Sequence, residues 1–462
     1  MKQGRNMSWW RRLLGQDTGD VDPRVPIRFD AGGWTPNRRA TGAREWTDAL
    51  GNVLRLEIET EPAPYLAAAT DLSALREWCR RNAAQRDGGI VSVDVVEVDG
   101  RQALQIIEKF ERRPTYDYEG TLIVPLRDRH CRFVVRAREQ GRTGMREAVI
   151  TGHLVSSGEL DLSSMLAAGS ARDGAPIPGW FSDPYDPAYE GRTLRSLADD
   201  PRVDGLFPDH PLSQVRMALV KLRASIEFDD VDETERGPTL TFASAGEERR
   251  SGREMSAVAV GTLLLQGGRV VDAQTILEES LKRHVPNAGG EPARVAMEWQ
   301  LLGLAHELQG HLDQAEAAFE ASATGFAASL GERHLRTAQA INSRARILIS
   351  RKDADAAEPL FRFSLEVFES GPAETSDAAV AWNGLGLVHI AREQYEEAVG
   401  CFERAVDIFE RANGPAFPDT ATALRNMALA WKRLGDLERM AEAWQRAEDV
   451  ERAAQRRRPG IG

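Results

Sequence analysis

The chain has 462 residues, 42% apolar and 28% charged, a balance ordinary for a soluble globular protein and long enough for two or three domains. No run of about 18 uninterrupted apolar residues occurs, which argues against a spanning helix, and a net charge of -12 argues against nucleic-acid binding, because neutralising phosphates needs a concentrated basic face. Cys79, Cys131 and Cys401 are odd in number, far apart and without paired metal spacing, which fits a reducing, cytoplasmic setting.

Residues 1–45 read as a flexible amino-terminal segment rich in Gly, Pro, Asp and Arg. Lys2, Arg5, Trp9, Trp10, Arg11, Arg12, Leu13 and Leu14 make a small basic amphipathic patch there, the one place where contact with an anionic membrane is chemically reasonable. It lacks an apolar core of signal-peptide length, so a frayed start, with Met7 as initiator, is the plainer reading.

Over residues 46–228 the hydrophobic period is mainly that of strands. Residues 53–60, VLRLEIET, alternate, and Asp71 then opens DLSALREWCRRNAAQR, with Leu72, Leu75, Trp78 and Cys79 on one helical face. Residues 90–98, the pair Asp99-Gly100 and residues 102–110 spell a hairpin. Residues 118–126 and 131–137 continue the alternation. An antiparallel meander of four or five strands is expected, half covered by helices because one face of each strand is strongly apolar.

Residues 141–147, GRTGMRE, suggest phosphate binding at a helix start, yet they lack both the P-loop ending and the dinucleotide fingerprint. Thr143 as a helix cap is the simpler expectation. Residues 180–189, WFSDPYDPAY, precede Asp199, Asp200, Asp204, Asp209 and His210, a concentration of carboxylates that could suit calcium. The alternating oxygens and glycine turn of a calcium loop are absent, and aspartates before prolines cap turns while aromatics pin loops, so a structural loop without metal is expected. Pro211 opens PLSQVRMALVKLRASIEFDD, with Val215, Leu219, Leu222 and Ile226 on one stripe. Strand, helix, meander and a late helix ending in Ser225-Ile226-Glu227-Phe228 together resemble the PsbP-like α/β/α sandwich. That resemblance implies a docking module, since members of that fold family share binding to other proteins and no common catalytic site.

Residues 229–252 read as an acidic linker, with Asp229, Asp230, Asp232, Glu233 and Glu235 ahead of Gly237-Pro238. From 253 to 456 one pattern returns five times. Gly261, Gly303, Ala345, Gly386 and Ala428 stand 41 or 42 apart; twelve residues after each come Ala273, Ala315, Ala357, Ala398 and, as a departure, Met440. Four further on stand Leu277, Phe319, Phe361, Phe402 and Trp444. Two small residues where helices approach, with a bulky plug between them, describe a helical hairpin stacked five times. Copy one lacks an aromatic plug, and copy three has Arg344-Ala345 where others have Leu-Gly.

Trp382, Leu385, Gly386, Ala398, Phe402 and Ala405 sit at the spacings of the tetratricopeptide family, as do Trp299, Leu302, Gly303, Gly310, Ala315 and Phe319. The repeat resembles that family, and its length resembles the kinesin-light-chain-like subgroup. The resemblance implies a superhelix whose first helices line a concave, peptide-binding side. Counting from the small residue, the inner positions are Met297, Gln300 and Leu304; Gln339, Asn342 and Arg346; Val380, Asn383 and Leu387; and Thr422, Arg425, Leu429 and Lys432. Gln300, Asn342 and Asn383 could clamp a peptide backbone, and Arg346, Arg425 and Lys432 would attract an acidic ligand or terminal carboxylate. His306 and His389 suit packing between repeats. Residues 457–462 read as a solvated basic tail.

The fold class expected is therefore an α+β sandwich followed by an all-α repeat superhelix. No metalloprotease His pair and no nucleophile elbow occurs. The expected function is a non-enzymatic scaffold or adaptor for a protein or peptide client, without cofactor, metal or nucleic acid and with its oligomeric state open. Two alternatives stand beside it: a chaperone for a secreted or assembling client, and an enzyme or ligand site in the α+β domain built on Asp183, Asp186, Asp209 and His210.

Overall fold

The computed structural model describes residues 27–37, 44–59, 65, 71–112, 115–126, 129–139, 144–161, 183–185, 194–228, 254–284, 292–371, 375–414 and 417–457. The basic patch of residues 1–15, the acidic linker 229–252 and residues 458–462 lie outside this set. The chain separates into two compact units, Met1–Met255 and Ser256–Gly462.

The first unit is built on a seven-stranded antiparallel sheet. Its strands are β2 (Trp34–Pro36), β3 (Arg44–Asp48), β4 (Val53–Glu59), β5 (Gly88–Val98), β6 (Arg101–Arg112), β7 (Thr115–Pro125) and β8 (His130–Arg138), in the order β2-β3-β4-β8-β7-β6-β5. Val98 pairs with Arg101 across the Asp99-Gly100 turn, where both turn residues have positive φ, 48° and 70°, the conformation that dipeptide tolerates. A separate two-stranded ladder joins β1 (Ile27–Arg28) to β9 (Glu227–Phe228).

Two expectations are corrected here. The segment read as flexible to residue 45 contributes β1, β2 and the start of β3. Ile27, Phe29 and Ala31 alternate into the core, and the Phe29 ring meets Trp46 at 5.3 Å and Phe133 at 5.5 Å, both edge-on. That alternation was too short, between glycines and prolines, to read as a strand. The sheet is also covered on both faces. Helix α1 (Leu72–Gln85), capped by Asp71, sets Leu75, Cys79 and Ala83 against Ile90, Leu104, Ile106 and Ile123. Helix α3 (Pro211–Ser225) sets Leu212, Val215, Leu219 and Leu222 against Leu54, Leu56, Leu122 and Phe133. Neighbouring residues such as Leu122 and Ile123 face opposite ways in a strand, so the central strands are apolar on both sides. Between them lies α2 (Met145–Ser156), whose cap is Gly144 at φ 74° rather than Thr143, which is outside the described residues.

The second unit is five helical hairpins: α4 (Ala257–Gln266) with α5 (Val270–His284), α6 (Pro292–Leu308) with α7 (Leu312–Leu330), α8 (Leu335–Ser350) with α9 (Ala354–Glu369), α10 (Ser376–Ala391) with α11 (Tyr395–Asn413), and α12 (Pro418–Leu434) with α13 (Leu437–Arg457). The small residues and plugs meet as their spacing predicts. A methyl group added to Gly303 would lie 2.7 Å from the Phe319 ring, and one on Gly261 would lie 3.1 Å from Leu277. Gly303→Ala is therefore expected to cost about 1–3 kcal/mol through overpacking, read as a lowered midpoint in urea. Arg344, in place of the usual leucine, leaves the core and pairs with Glu316 at 3.4 Å and Glu320 at 3.1 Å on α7.

Trp444 departs from its expected role as the fifth plug. It is 48% exposed, while Ala443, Ala447 and Val450 are buried. The turn itself is the same in all five hairpins, with the residue seven after the small one, Gly268, Gly310, Lys352, Glu393 or Gly435, at positive φ. Phe319 and Phe361 are also covered by the next repeat, through Ile347 and Gly384, whereas no further hairpin among the described residues packs against α13, which leaves Trp444 uncovered. Arg457, read as the start of the basic tail, is the last residue of α13.

Candidate binding groove

The first helices of repeats two to five, α6, α8, α10 and α12, bring nine of the thirteen inner positions together. Met297, Gln300, Gln339, Asn342, Arg346 and Val380 line one recess of about 190 Å³. Arg346, Val380, Asn383, Leu387 and Thr422 line a second of about 350 Å³. The two recesses share Arg346 and Val380; Ile349 and Leu387 add apolar surface to the second, backed by the buried Phe361 and Phe409. Four positions fall elsewhere. Leu304 packs against Ala315, Phe319 and Ile347 in the core; Leu429 is 42% exposed outside both recesses; Arg425 pairs with Glu451 at 2.7 Å; and Lys432 is exposed.

The amide ladder is largely used between repeats. Gln300 Nε2 donates to Ser343 Oγ at 3.0 Å, Ser322 Oγ donates to Gln300 Oε1 at 3.2 Å, and Asn426 Nδ2 donates to Asn383 Oδ1 at 2.9 Å. The Gln300–Ser343 and Asn383–Asn426 bonds each join one repeat's amide to the position one residue later in the next repeat, a partner that periodicity of a single position does not show. Asn342 lacks that partner because the matching residue is Gly384, where the Phe361 ring leaves no room for a side chain. Asn342 is 4% exposed, and its buried Oδ1 has no hydrogen-bond partner among the described residues. An unmet buried acceptor is costly, and this carbonyl belongs to a residue on the wall of the first recess.

A tetratricopeptide-repeat family model matches residues 293–370 and 377–458, which coincide with the hairpins from α6 to α13. Residues 293–370 and 377–458 are tetratricopeptide repeats. The chain is 24% identical over 260 residues to kinesin light chain-related 2 of Arabidopsis thaliana, a match covering 55% of this chain and 38% of that protein. It thus spans well under half the length of that relative. BtubC (BKLC) of P. vanneervenii is 21% identical, with 45% of this chain and 82% of that one covered and a TM-score of 0.38. The family model does not extend into the α+β unit.

Charges in the tetratricopeptide groove differ from those expected. Arg346 is held by Glu307, and Arg425, 5.7 Å from the Trp444 ring, by Glu451, so two of the three expected cations are already compensated. Arg336, Asp377 and Asp419 line the recesses instead. They recur at spacings of 41 and 42, the period of the small residues, a signal that counting on the polar amides overlooked. His306 is buried and His389 bonds Gln394 through Nδ1 at 2.9 Å, each within its own repeat's turn region.

In the α+β unit, Asp183, Asp209 and His210 do not converge, and Asp186 is outside the described residues. Asp183 makes a bidentate pair with Arg80 of α1 at 2.7 and 2.8 Å, whereas His210 caps α3 across the sheet and Asp209 is exposed. Tyr185 accepts from Val93 N at 2.6 Å and donates to Val93 O at 2.9 Å, tying its loop to the edge strand as the structural reading required. A cleft of about 780 Å³ is lined by Arg86, Asp117, Glu119, Arg136 and Arg138, but its charges pair with one another, Arg136 with Glu119 at 2.6 Å and Arg138 with Asp117 at 2.7 Å.

Beneath α3 the buried Lys109 meets Asp199 at 3.3 Å and Glu147 at 3.6 Å. Nearby, ligand atoms of Glu139, Glu147 and His210 lie within 4.8 Å of one another. His210 Nδ1 accepts the Leu212 N–H at 3.2 Å, so its neutral ring carries the proton on Nε2 and offers a donor rather than a metal ligand. Burial, then the Arg146 guanidinium, lower the His210 pKa from 6.5 to about 3. Folded His210 stays neutral while the unfolded residue takes up a proton below 6.5, so this unit is expected to lose stability progressively as pH falls from 6.5 toward 3. His210→Asn, which retains a capping acceptor, should flatten that part of the profile of unfolding midpoint against pH.

Proposed function

We propose that the protein is a non-enzymatic interaction scaffold whose tetratricopeptide array holds an extended segment of a partner polypeptide in the groove of α6, α8, α10 and α12. One observation carries this reading: two adjoining recesses, walled by successive first helices, combine an apolar surface with a buried carbonyl acceptor at Asn342 that has no internal partner. An apolar site with a few convergent polar groups is the usual form of a recognition site. A segment lying along it would place side chains in the recesses and offer a backbone N–H to Asn342. The similarity to kinesin light chain-related 2 supports a scaffold role. A chaperone would be a narrower case, with the client bound before assembly.

Val380→Asp tests the groove. Val380 lines both recesses, and a carboxylate there would be desolvated by an occupant without compensation. Partner polypeptides recovered with the wild-type protein should be lost by at least tenfold, with the far-UV circular dichroism unchanged. An unchanged partner set would remove the groove from the account.

A further inference from the structure

Arg336, Asp377 and Asp419 occupy one repeat position on α8, α10 and α12, so the sign of charge changes along the groove. Arg336 is exposed and has no ion pair among the described residues, and Asp419 at the far side of the second recess is likewise exposed and unpaired. The charges between them are engaged: Asp377 accepts from Gln339 Nε2 at 2.7 Å, and Arg346 is paired with Glu307. The accessible apolar part, Val380 with Ile349 and Leu387, lies with the second recess between these ends.

We infer that the occupant is a bipolar polypeptide segment, with a carboxylate side chain over Arg336, an apolar side chain over Val380 and Leu387, and a cationic side chain over Asp419. This rests on the groove being the binding surface. A uniformly acidic segment would meet Arg336 favourably and Asp419 unfavourably, and a uniformly basic one the reverse. Only a segment with separated charges satisfies both ends, and an occupant inserted in the wrong order is penalised twice. Because Arg336 and Asp419 are exposed, each should set register and orientation more than affinity, at about two- to fivefold per pair, and the preference should weaken with salt.

The test is selection of random dodecapeptides on the full-length protein, followed by titration of a selected peptide. Enriched peptides should carry an Asp/Glu group and a Lys/Arg group on either side of a large apolar residue, in one order. Arg336→Glu or Asp419→Lys should each weaken the selected peptide about two- to fivefold, and the double variant should prefer the same peptide with its charges exchanged. Selected peptides without charge order, or a double variant that binds both peptides equally, would overturn the bipolar assignment. Val380→Asp separates the two levels. If it abolishes binding while charge reversal changes nothing, only bipolarity fails; if it leaves binding intact, or if no peptide is selected at all, the groove reading fails and takes this inference with it.

Discussion

Phe361→Ala is expected to destabilise the repeat array by about 3–5 kcal/mol, the range for deleting a fully buried aromatic ring. Phe361 is 0% exposed and works at two joints. It is the plug of its own hairpin, between α8 and α9, and its ring also occupies the space left by Gly384 on α10 of the next repeat. Truncation therefore weakens a hairpin and a repeat-to-repeat interface together, and the surroundings cannot collapse easily between rigid helices. Because an array of repeats is held by nearest-neighbour interfaces, urea unfolding followed at 222 nm should lose cooperativity, with the hairpins before and after this joint separating into two transitions. A single transition with an unshifted midpoint would refute the double role. Phe361 also lines the second recess, so partner binding should fall even below the unfolding midpoint.

Arg146→Met should have a comparable effect on the α+β unit, again about 3–5 kcal/mol, because it leaves a buried charge network without its cation. The side chain is almost wholly enclosed. It donates to Ala198 O at 2.6 Å, Asp200 O at 2.9 Å and Ser213 Oγ at 2.8 Å, and it faces Asp204 at 2.8 Å. One guanidinium thereby joins α2, the segment carrying Asp199 and Asp200, and α3. Methionine fills much of the volume but satisfies none of the acceptors, and Arg216, which bonds Asp204 at 2.9 Å and Asp199 O at 2.6 Å, is already committed. Arg146→Lys should rescue little, since an ammonium cannot reach acceptors in the fixed fork of a guanidinium. Thermal unfolding followed by near-UV dichroism should show the loss, while the helical signal of the array persists; an unchanged midpoint would show that the network contributes little.

The repeats were legible because a period of 41 or 42 depends on steric facts stated by single residues: Gly303 is small because Phe319 is there. The hairpin at Asp99-Gly100 was legible for the same reason, a local backbone demand answered by two residues. Trp444 was misread because a plug is covered by the next repeat as well as by its own hairpin, and no further hairpin among the described residues packs against α13. The amide ladder was placed correctly along the helices but misjudged in its availability. Gln300 and Asn383 are bonded by Ser343 and Asn426 of the following repeat, and only the substitution of Gly384 releases Asn342. In the α+β unit, β1 and β2 were missed because a two-residue strand such as Ile27–Arg28 is defined by its partner Glu227–Phe228, some 200 residues away, rather than by local pattern.

A photo-crosslinking residue at position 380, compared with one at position 403 on the exposed side of α11, tests the central claim most directly. With the partner polypeptide or a selected peptide present, crosslinking should occur at 380, disappear when excess unlabelled peptide is added, and be absent at 403. Equal labelling at both positions, or none at 380, would contradict a peptide-binding groove in this array.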